Sequence, residues 1–212
     1  YQCTPASVRI KTKGAGRVYN GKPLTADGTI EGLVNNETVD CKVTGSQTEV
    51  GNSKNTYTLK WTGTAKESNY QIVSEEIGTL VVTENAEELV VTTTGGTFTY
   101  TGLAHGATVT VSELPEGYTL ETAESSATAT DVTKLPVKAT ADKLVIKNAQ
   151  GKDVTDKLKI KKIDGTIKVT PAALTITTPK VEKVYDGNAL TADGTISGFV
   201  NGETATFVTT GS

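Results

Sequence analysis

The sequence predicts an all-β protein made of tandem small β-sandwich repeats. About a third of its 212 residues are Thr, Val or Ile, whose branched Cβ atoms favour strands over helices. The 21 Gly and six Pro supply turns between short strands. A long stretch of sequence also recurs at a fixed offset, which is typical of repeat architectures.

The clearest feature of the chain is this internal repeat. Residues 4–46 align without a gap on residues 170–212, with 23 identities in 43 pairs at an offset of 166. A Tyr-x-Gly motif marks each copy and also occurs once between them, in a diverged form. Its Tyr and Gly positions are Tyr19 and Gly21, Tyr100 and Gly102, and Tyr185 and Gly187. Because these starts are 81 and 85 residues apart, the offset of 166 spans two repeats.

The alignment predicts one partial repeat at each end of the chain. The predicted divisions are 1–7 (end of a preceding repeat), 8–86 (first repeat), 87–171 (diverged second repeat) and 172–212 (first half of a third repeat). Tyr1–Thr4 align with Ile167–Thr170 and are therefore expected to be a closing strand. We interpret the chain as a segment of a longer array.

Each complete repeat is predicted to end in a tight turn that feeds a closing strand, at residues 77–83 and 163–170. Leu158 and Ile160 before the second turn alternate as expected of an antiparallel hairpin. About 80 residues with five to seven strands is consistent with a small immunoglobulin-like sandwich. A β-grasp sheet with one crossing helix is the alternative that the pattern leaves open.

Two aromatic residues of the first repeat could form a ligand-binding face. Sugar binding needs exposed rings, and Trp61 with Tyr57 is the one local pair that could form such a face. Leu59 lies between them with the same alternation, which favours a position in the core. The recurring tyrosines at 19, 100 and 185 are interpreted as a structural corner that every repeat requires.

Composition argues against several functional classes. The net charge of −3 does not suit a protein that binds polyanions through counterion release, and no apolar run reaches the roughly 18 residues of a membrane span. The single histidine, His105, has no second imidazole with which to form a catalytic or metal site. Residues 148–153 lack the acidic ligands of a calcium loop. We therefore expect no catalysis, cofactor or metal.

The two cysteines are candidates for a disulfide. One double repeat after Cys3 and Cys41 stand Val169 and Phe207, so both positions change together between apolar residues and cysteine. This paired change suggests a contact, and an oxidising compartment would permit a bond. The alternative is a pair of buried thiols, since free cysteine is among the most buried residue types.

The motifs together resemble a known class of repeats. The Tyr-Asp-Gly start, the Leu-Thr-Ala-Asp-Gly run after it, the Val-Thr-Gly-Ser stretch and the Gly-Thr-Leu-Val-Val strand resemble the MBG and YDG-type repeats of bacterial cell-surface proteins. The resemblance covers nearly the whole chain. It implies an extracellular, cell-wall protein of a Gram-positive bacterium, with adhesin or stalk character. Residues 109–118 resemble domains that form a Lys to Asn or Lys to Asp amide, but no Lys, acid or acceptor is assigned.

The resemblance implies a stalk or spacer that presents a distal binding region and is not an enzyme. Its expected partners are neighbouring repeats of the same chain, with no nucleic acid and no membrane insertion. We expect a monomer, with strand pairing through the half repeat at 172–212. The alternative is a module that binds host glycan, mucin or matrix protein, for which the diverged second repeat leaves room.

Overall fold

The computed structural model describes residues 1–211 and is all-β. The helical segments in this range are two three-residue 3-10 turns, Glu67–Asn69 and Thr155–Lys157. The crossing helix required by the β-grasp alternative is therefore absent from the described residues. Among them, no helix has the length and apolar character needed to cross a membrane.

Twenty short strands account for the rest of the regular structure in residues 1–211. The first repeat contains β1 (Ala6–Thr12), β2 (Ala15–Val18), β3 (Gly28–Glu31), β4 (Val39–Val43), β5 (Gly51–Lys54), β6 (Tyr57–Trp61), β7 (Tyr70–Glu76) and β8 (Thr79–Thr83). The second repeat contains β9 (Glu88–Thr94), β10 (Gly96–Thr99), β11 (His105–Gly106), β12 (Thr108–Val111), β13 (Tyr118–Glu124), β14 (Thr128–Ala129), β15 (Val137–Ala139), β16 (Lys143–Asn148), β17 (Lys159–Ile163) and β18 (Gly165–Thr170). The half repeat contains β19 (Thr175–Thr177) and β20 (Thr195–Ser197).

The two complete repeats share one strand order. In the first, the sheets are β3-β1-β7, β2-β8-β5 and β4-β6. In the second, the corresponding sheets are β12-β9-β17, β10-β18-β15 and β13-β16, with an additional pair β11-β14. The half repeat keeps the first antiparallel pair in the same register, because Thr175 faces Ser197 as Arg9 faces Glu31. The repeated motifs therefore coincide with a repeated topology.

The closing strands correct one prediction from sequence. β17 and β18 do not form an antiparallel hairpin, since they belong to different sheets, and β7 and β8 are divided in the same way. β7 pairs in parallel with β1, and β8 pairs in parallel with β2. Apolar residues do alternate along these strands. The alternation arises because each strand has one buried face, and it does not show that the two strands pair with each other.

Glycines sit where the chain passes from one sheet to the other. A Cβ on Gly78 would lie 2.3 Å from the carbonyl carbon of Lys13, and a Cβ on Gly165 would lie 2.5 Å from the carbonyl oxygen of Thr93. The connection from β1 to β2 and the connection from β7 to β8 both pass from one sheet to the other, and they do so side by side. Their backbones are therefore too close together to leave room for a side chain. This close approach accounts for the glycine in the turn before each closing strand.

The core lies mainly along the first and last strands of each repeat. β1 alternates buried Val8, Ile10 and Thr12 with exposed residues. Leu80 and Val82 of β8 form a cluster with Tyr19 and Leu24 in the first repeat. Ile167 and Val169 of β18 pack with Ala129 and Ala139 in the second. Closing strands therefore supply fully buried side chains to both repeats.

The chain folds into two compact units, and their boundaries differ from the predicted repeat boundaries. One unit comprises Tyr1–Leu89, Glu113–Glu121 and Val145–Lys159. The other comprises Val90–Ser112, Thr122–Leu144 and the chain from Ile160 onward. Two segments of the second repeat thus pack with the first repeat, and the half repeat packs with the remainder of the second. The repeat boundaries themselves remain a sequence prediction.

Candidate repeat-to-repeat interface

The Tyr-x-Gly motif of the first repeat forms a corner just after β2. The backbone N–H of Tyr19 donates to the carbonyl of Thr83 over 2.9 Å, which ties the corner to the closing strand. Gly21 follows with φ of 80°, a backbone conformation that glycine adopts without strain. Tyr19 is 3% exposed and packs on Leu24 and the closing strand. The corner is therefore part of the core of the first repeat.

A loop of the second repeat, residues 148–152, satisfies the buried tyrosine hydroxyl. Tyr19 Oη donates to Gln150 Oε1 over 2.6 Å and accepts from the backbone N–H of Ala149 over 3.0 Å. The same loop lacks the acidic ligands of a calcium site. Its role in the structure is to complete the hydrogen bonds of a tyrosine that would be costly to bury unpaired.

The turn between β12 and β13 contacts the same corner. Tyr118 meets the ring of Tyr19 edge-on, with centroids 5.2 Å apart. A Cβ on Gly21 would lie 3.2 Å from the Cα of Gly117, and a Cβ on Gly117 would lie 2.5 Å from the carbonyl carbon of Asn20. Two glycines with positive φ thus allow the two backbones to touch. The Leu-Pro-Glu-Gly segment, residues 114–117, thus lies in a turn that packs against the corner.

Ion pairs flank this contact on both sides. Lys22 Nζ lies 2.5 Å from Glu116 Oε1, and Lys152 Nζ lies 2.8 Å from Glu49 Oε2. The hydrogen bond from Lys22, together with its charge, lowers the pKa of the Glu116 carboxyl. All four side chains are largely solvent-exposed, so such pairs contribute little stability and mainly favour one docking geometry.

The corner of the second repeat makes the same kind of contact with the half repeat. Tyr100 Oη donates to the carboxylate of Glu203, which raises the pKa of Tyr100. A Cβ on Gly102 would lie 2.5 Å from the side chain of Asn201. The backbone N–H of Tyr100 donates to the carbonyl of Thr170 over 2.8 Å, as Tyr19 does to Thr83. The arrangement of corner against turn therefore occurs twice.

A four-residue turn at an equivalent position in the following repeat contacts each of these two corners. A backbone bond from its fourth residue to its first closes it at 34–37, 115–118 and 200–203. The fourth residues are Glu37, Tyr118 and Glu203, and the last two contact the tyrosine of the preceding repeat. The alignment of residues 34–37 with 200–203 was the available signal, but alignment alone does not say what a turn contacts. In the third corner, Tyr185 is 92% exposed and Gly187 has φ of 81°.

The candidate ligand face is part of the core. Trp61 stacks on Tyr70 with centroids 5.1 Å apart and packs in a cluster with Val8 and Ala65. Tyr57 is half-buried and donates to Glu75 Oε1 over 2.6 Å. The alternation of Tyr57, Leu59 and Trp61 is as predicted, with all three half-buried and their neighbours exposed. The Trp61 ring is therefore stacked on another ring, and the Tyr57 hydroxyl already has a hydrogen-bond acceptor.

We expect Tyr57 to ionise unusually late. Burial first, and then the hydrogen bond to Glu75, raises its pKa to about 12. Because an unfolded tyrosine ionises near pH 10, the unfolded chain loses this proton first, and folding stability falls between about pH 10 and pH 12. An absorbance titration of phenolate checks this. Glu75→Gln is expected to lower the pKa of Tyr57, whereas Glu76→Gln, which removes a neighbouring charge paired with Lys11, should leave it unchanged.

Both cysteines are free thiols in the structure. Cys3 is exposed and precedes β1, while Cys41 is half-buried on β4. Burial raises the pKa of the Cys41 thiol, which lowers its reactivity as a thiolate. The disulfide suggested by the paired sequence change is thus not formed in this structure.

The remaining chemical candidates have structural partners. His105 stacks on Phe98 with centroids 4.5 Å apart and bonds to Thr101 through Nε2. In residues 1–211, no three His, Cys, Asp or Glu side chains are grouped in a way that could hold a metal ion. The cavity beside Tyr19 and Tyr118 measures about 130 Å³, below the roughly 300 Å³ at which small-molecule sites begin.

No protein-family model matches the chain, and no curated protein matches it.

Proposed function

We propose that the chain is a non-catalytic structural segment of a bacterial cell-surface protein, whose repeats act as a stalk or spacer for a distal binding region. The observation that carries this proposal is the recurrence of one interface. The corner of Tyr19 and the corner of Tyr100 each meet the β-turn of the following repeat. Residues that recur in the repeats and form the contacts between them support a mechanical role.

The surface setting rests on the resemblance to MBG and YDG-type repeats. We further propose that each repeat is a small immunoglobulin-like sandwich. Supporting this are the short strands, the three small sheets that the two complete repeats share, and the parallel pairing of β1 with β7 and of β2 with β8 in the first repeat. Folds of this kind commonly occur in tandem in extracellular proteins.

The interface has features that would restrict bending between repeats. The tyrosine hydroxyl of Tyr19 is hydrogen-bonded at its buried end, and Gly21 and Gly117 hold two backbones in contact. The connections are also short, since residues 84–87 separate β8 from β9 and residues 171–174 separate β18 from β19. Short connections with packed ends leave little freedom for one repeat to move against the next.

The alternative, a module that binds host glycan, mucin or matrix protein, has less support, because Trp61 stacks on Tyr70 and the Tyr57 hydroxyl bonds to Glu75. No other feature of the described surface favours that alternative over the stalk. The stalk proposal can be tested directly, because it predicts that disrupting the contact between repeats makes the repeats move relative to each other.

We expect Gly117→Ala to loosen the joint between the first two repeats. The added Cβ would meet the Asn20 backbone at 2.5 Å, and φ of 91° is strained for alanine by about 1–3 kcal/mol. The measurement is the distance distribution between spin labels at Lys60→Cys and Lys134→Cys, with Cys3 and Cys41 replaced by serine. A single narrow distribution is expected in the parent chain and a broad one in the variant.

Gly63→Ala is the matched control. Gly63 has φ of 62°, so alanine there is strained in the same sense, but nothing lies within 4 Å of the added Cβ. Its distance distribution should match that of the parent chain. A broad distribution in the parent chain itself would overturn the stalk proposal, because repeats that move freely cannot hold a distal region in place.

A further inference from the structure

The corner of the first repeat contains an asparagine followed by a glycine. Asn20 precedes Gly21, and at the offset of 166 its counterpart is Asp186, so the motif reads Tyr-Asn-Gly in one repeat and Tyr-Asp-Gly in another. A backbone nitrogen reaches the preceding side-chain amide most readily when it belongs to glycine, because no Cβ hinders the approach. The corner therefore combines a reactive pair with a position that also occurs as aspartate.

Amide and carboxylate give this corner the same local structure. Asn20 Oδ1 accepts from the backbone N–H two residues further on over 3.0 Å, and Asp186 Oδ1 accepts from the equivalent N–H over 3.0 Å. Gly21 has φ of 80° and Gly187 has φ of 81°. Both side chains thus close the same Asx turn through one oxygen. Replacing the amide of Asn20 by a carboxylate requires no change in the backbone.

The third corner also shows what a carboxylate at this position binds. Lys183 Nζ lies 2.8 Å from Asp186 Oδ1, and this hydrogen bond lowers the pKa of the Asp186 carboxyl. The counterpart of Lys183 in the first repeat is Arg17. One terminal nitrogen of Arg17 donates to the carbonyl of Lys22, but its buried Nε–H has no acceptor within residues 1–211. Buried donors are usually paired, so this guanidinium lacks the carboxylate that its counterpart has.

We propose that Asn20 is a site of spontaneous deamidation, and that Arg17 binds the aspartate formed there. The backbone nitrogen of Gly21 bonds to Cγ of Asn20 and loses its proton, while the side-chain amide leaves as ammonia. Water then adds to the cyclic imide and breaks one of its two C–N bonds. Opening at the former side-chain carbonyl gives aspartate. Opening at the backbone carbonyl gives isoaspartate, in which the main chain runs through the side chain.

The turn at residues 115–118 controls access to the attacking nitrogen. Among the described residues, the N–H of Gly21 donates to no acceptor, so the attack breaks no hydrogen bond of this group. A Cβ on Gly117 would lie 2.7 Å from this nitrogen and 2.5 Å from the carbonyl carbon of Asn20. Bond formation requires Cγ of Asn20 to approach the nitrogen, which moves the backbone that Gly117 contacts. The closed contact therefore slows the reaction, and opening it allows the reaction.

The same contact distinguishes the two products. Isoaspartate adds one carbon atom to the main chain between residues 20 and 21, where the Gly117 backbone leaves no room. Aspartate keeps the original main chain and the Asx turn, as Asp186 does in the third corner. Aspartate is therefore the product with which the contact can close again.

The new charge would be balanced by its neighbours. Lys22 Nζ lies 2.5 Å from Glu116 Oε1. The hydrogen bond from Lys22 lowers the pKa of Glu116, and the charge of Arg17 adds to this effect. With an aspartate at position 20, two cations would face two carboxylates, so the second carboxylate brings no excess negative charge to the corner.

Peptide mapping of the full chain during incubation at neutral pH measures the reaction. The tryptic peptide of residues 18–42 contains Asn20, and the other Asn-Gly pair, which begins at Asn201, lies in a separate peptide. Conversion of Asn20 is expected to be slow in the parent chain, faster in Gly117→Ala and fastest in urea. Gly63→Ala should match the parent chain, because it is strained in the same sense but its Cβ meets no neighbour.

Two results of this mapping would overturn the proposal. One is an Asn20 that stays unconverted in urea, because the pair would then not be reactive. The other is an equal rate in the parent chain and in Gly117→Ala, because the contact would then not control the reaction. Neither result concerns the distance between repeats, so the spin-label measurement decides the stalk function separately.

A pKa measurement on Asn20→Asp tests the role of Arg17 independently of the reaction. Titration followed by NMR should give the new carboxyl a pKa below its unfolded value of about 4, because an adjacent cation favours the charged form. Adding Arg17→Gln should raise this pKa. Adding Arg9→Gln, which removes the other arginine of the chain on β1, should leave it unchanged. A pKa that does not respond to Arg17→Gln would overturn the proposed pairing.

Discussion

Replacing Leu80 by alanine is expected to lower the free energy of unfolding of the first repeat by about 2–5 kcal/mol. Leu80 has no exposed surface and packs with Tyr19, Leu24 and Val82. Alanine would remove apolar contacts and leave a cavity that the flanking strands β2 and β5 cannot collapse to fill. The measurement is urea unfolding followed by the fluorescence of Trp61, the only tryptophan of the chain and a residue of the same repeat.

Val81→Ala is the matched control for this prediction. Val81 is adjacent on β8 but faces the opposite side and is 37% exposed. Its replacement should cost less than about 1 kcal/mol, the range of strand propensity alone. Equal losses for the two variants would mean that β8 is not the closing strand of a packed core.

The strands could be predicted from the sequence where one face is buried. β1 and β6 alternate buried or half-buried residues with exposed ones along their whole length, and β8 does so from Leu80 onward. The strand pairing could not be predicted in the same way, because an alternating pattern is identical for parallel and antiparallel neighbours. Two segments joined by a short turn look like a hairpin, and the crossing of Gly78 over Lys13 that sends them to different sheets depends on long-range packing.

The candidate interface was half visible in the sequence. Recurrence of Tyr19, Tyr100 and Tyr185 indicated a position needed in every repeat, and burial of Tyr19 agrees with this. Its partners in the next repeat, Gln150 and Tyr118, were not found because they are not repeated residues. The fourth position of the turn is Glu in two repeats and Tyr in the other, so its common role appears only once the turns are placed against the corners.

One structurally important residue, Asn55, could not be identified from the sequence. Asn55 is fully buried, and its Nδ2 donates to the carbonyl of Lys13 over 2.9 Å and to that of Ala26 over 3.0 Å. It thereby joins the segment between β1 and β2 to the segment before β3. A buried amide that satisfies two backbone carbonyls has no signature in composition or spacing, and an isolated Asn in a turn between strands is ordinary.

Asn55→Asp is expected to be severely destabilising, by about 3–5 kcal/mol at neutral pH. The carboxylate would lose both donated bonds and place its charge against the carbonyl oxygens of Lys13 and Ala26. Asn55→Ala should cost less, about 1–3 kcal/mol, since it leaves the two carbonyls without donors but buries no charge. Asn52→Asp on β5 is the matched control, because Asn52 is exposed and its replacement should have little effect.

The pH dependence of Asn55→Asp separates the buried charge from a simple loss of packing. Burial would raise the pKa of the new carboxyl in the folded state above its unfolded value of about 4. The folded chain then holds the proton that the unfolded chain releases, so stability falls as pH rises through this interval. The difference in unfolding free energy from the parent chain should therefore shrink when urea unfolding, followed by Trp61 fluorescence, is repeated near pH 4. A difference independent of pH would show that Asp at this position reaches solvent, and that Asn55 does not link the two segments through a closed core.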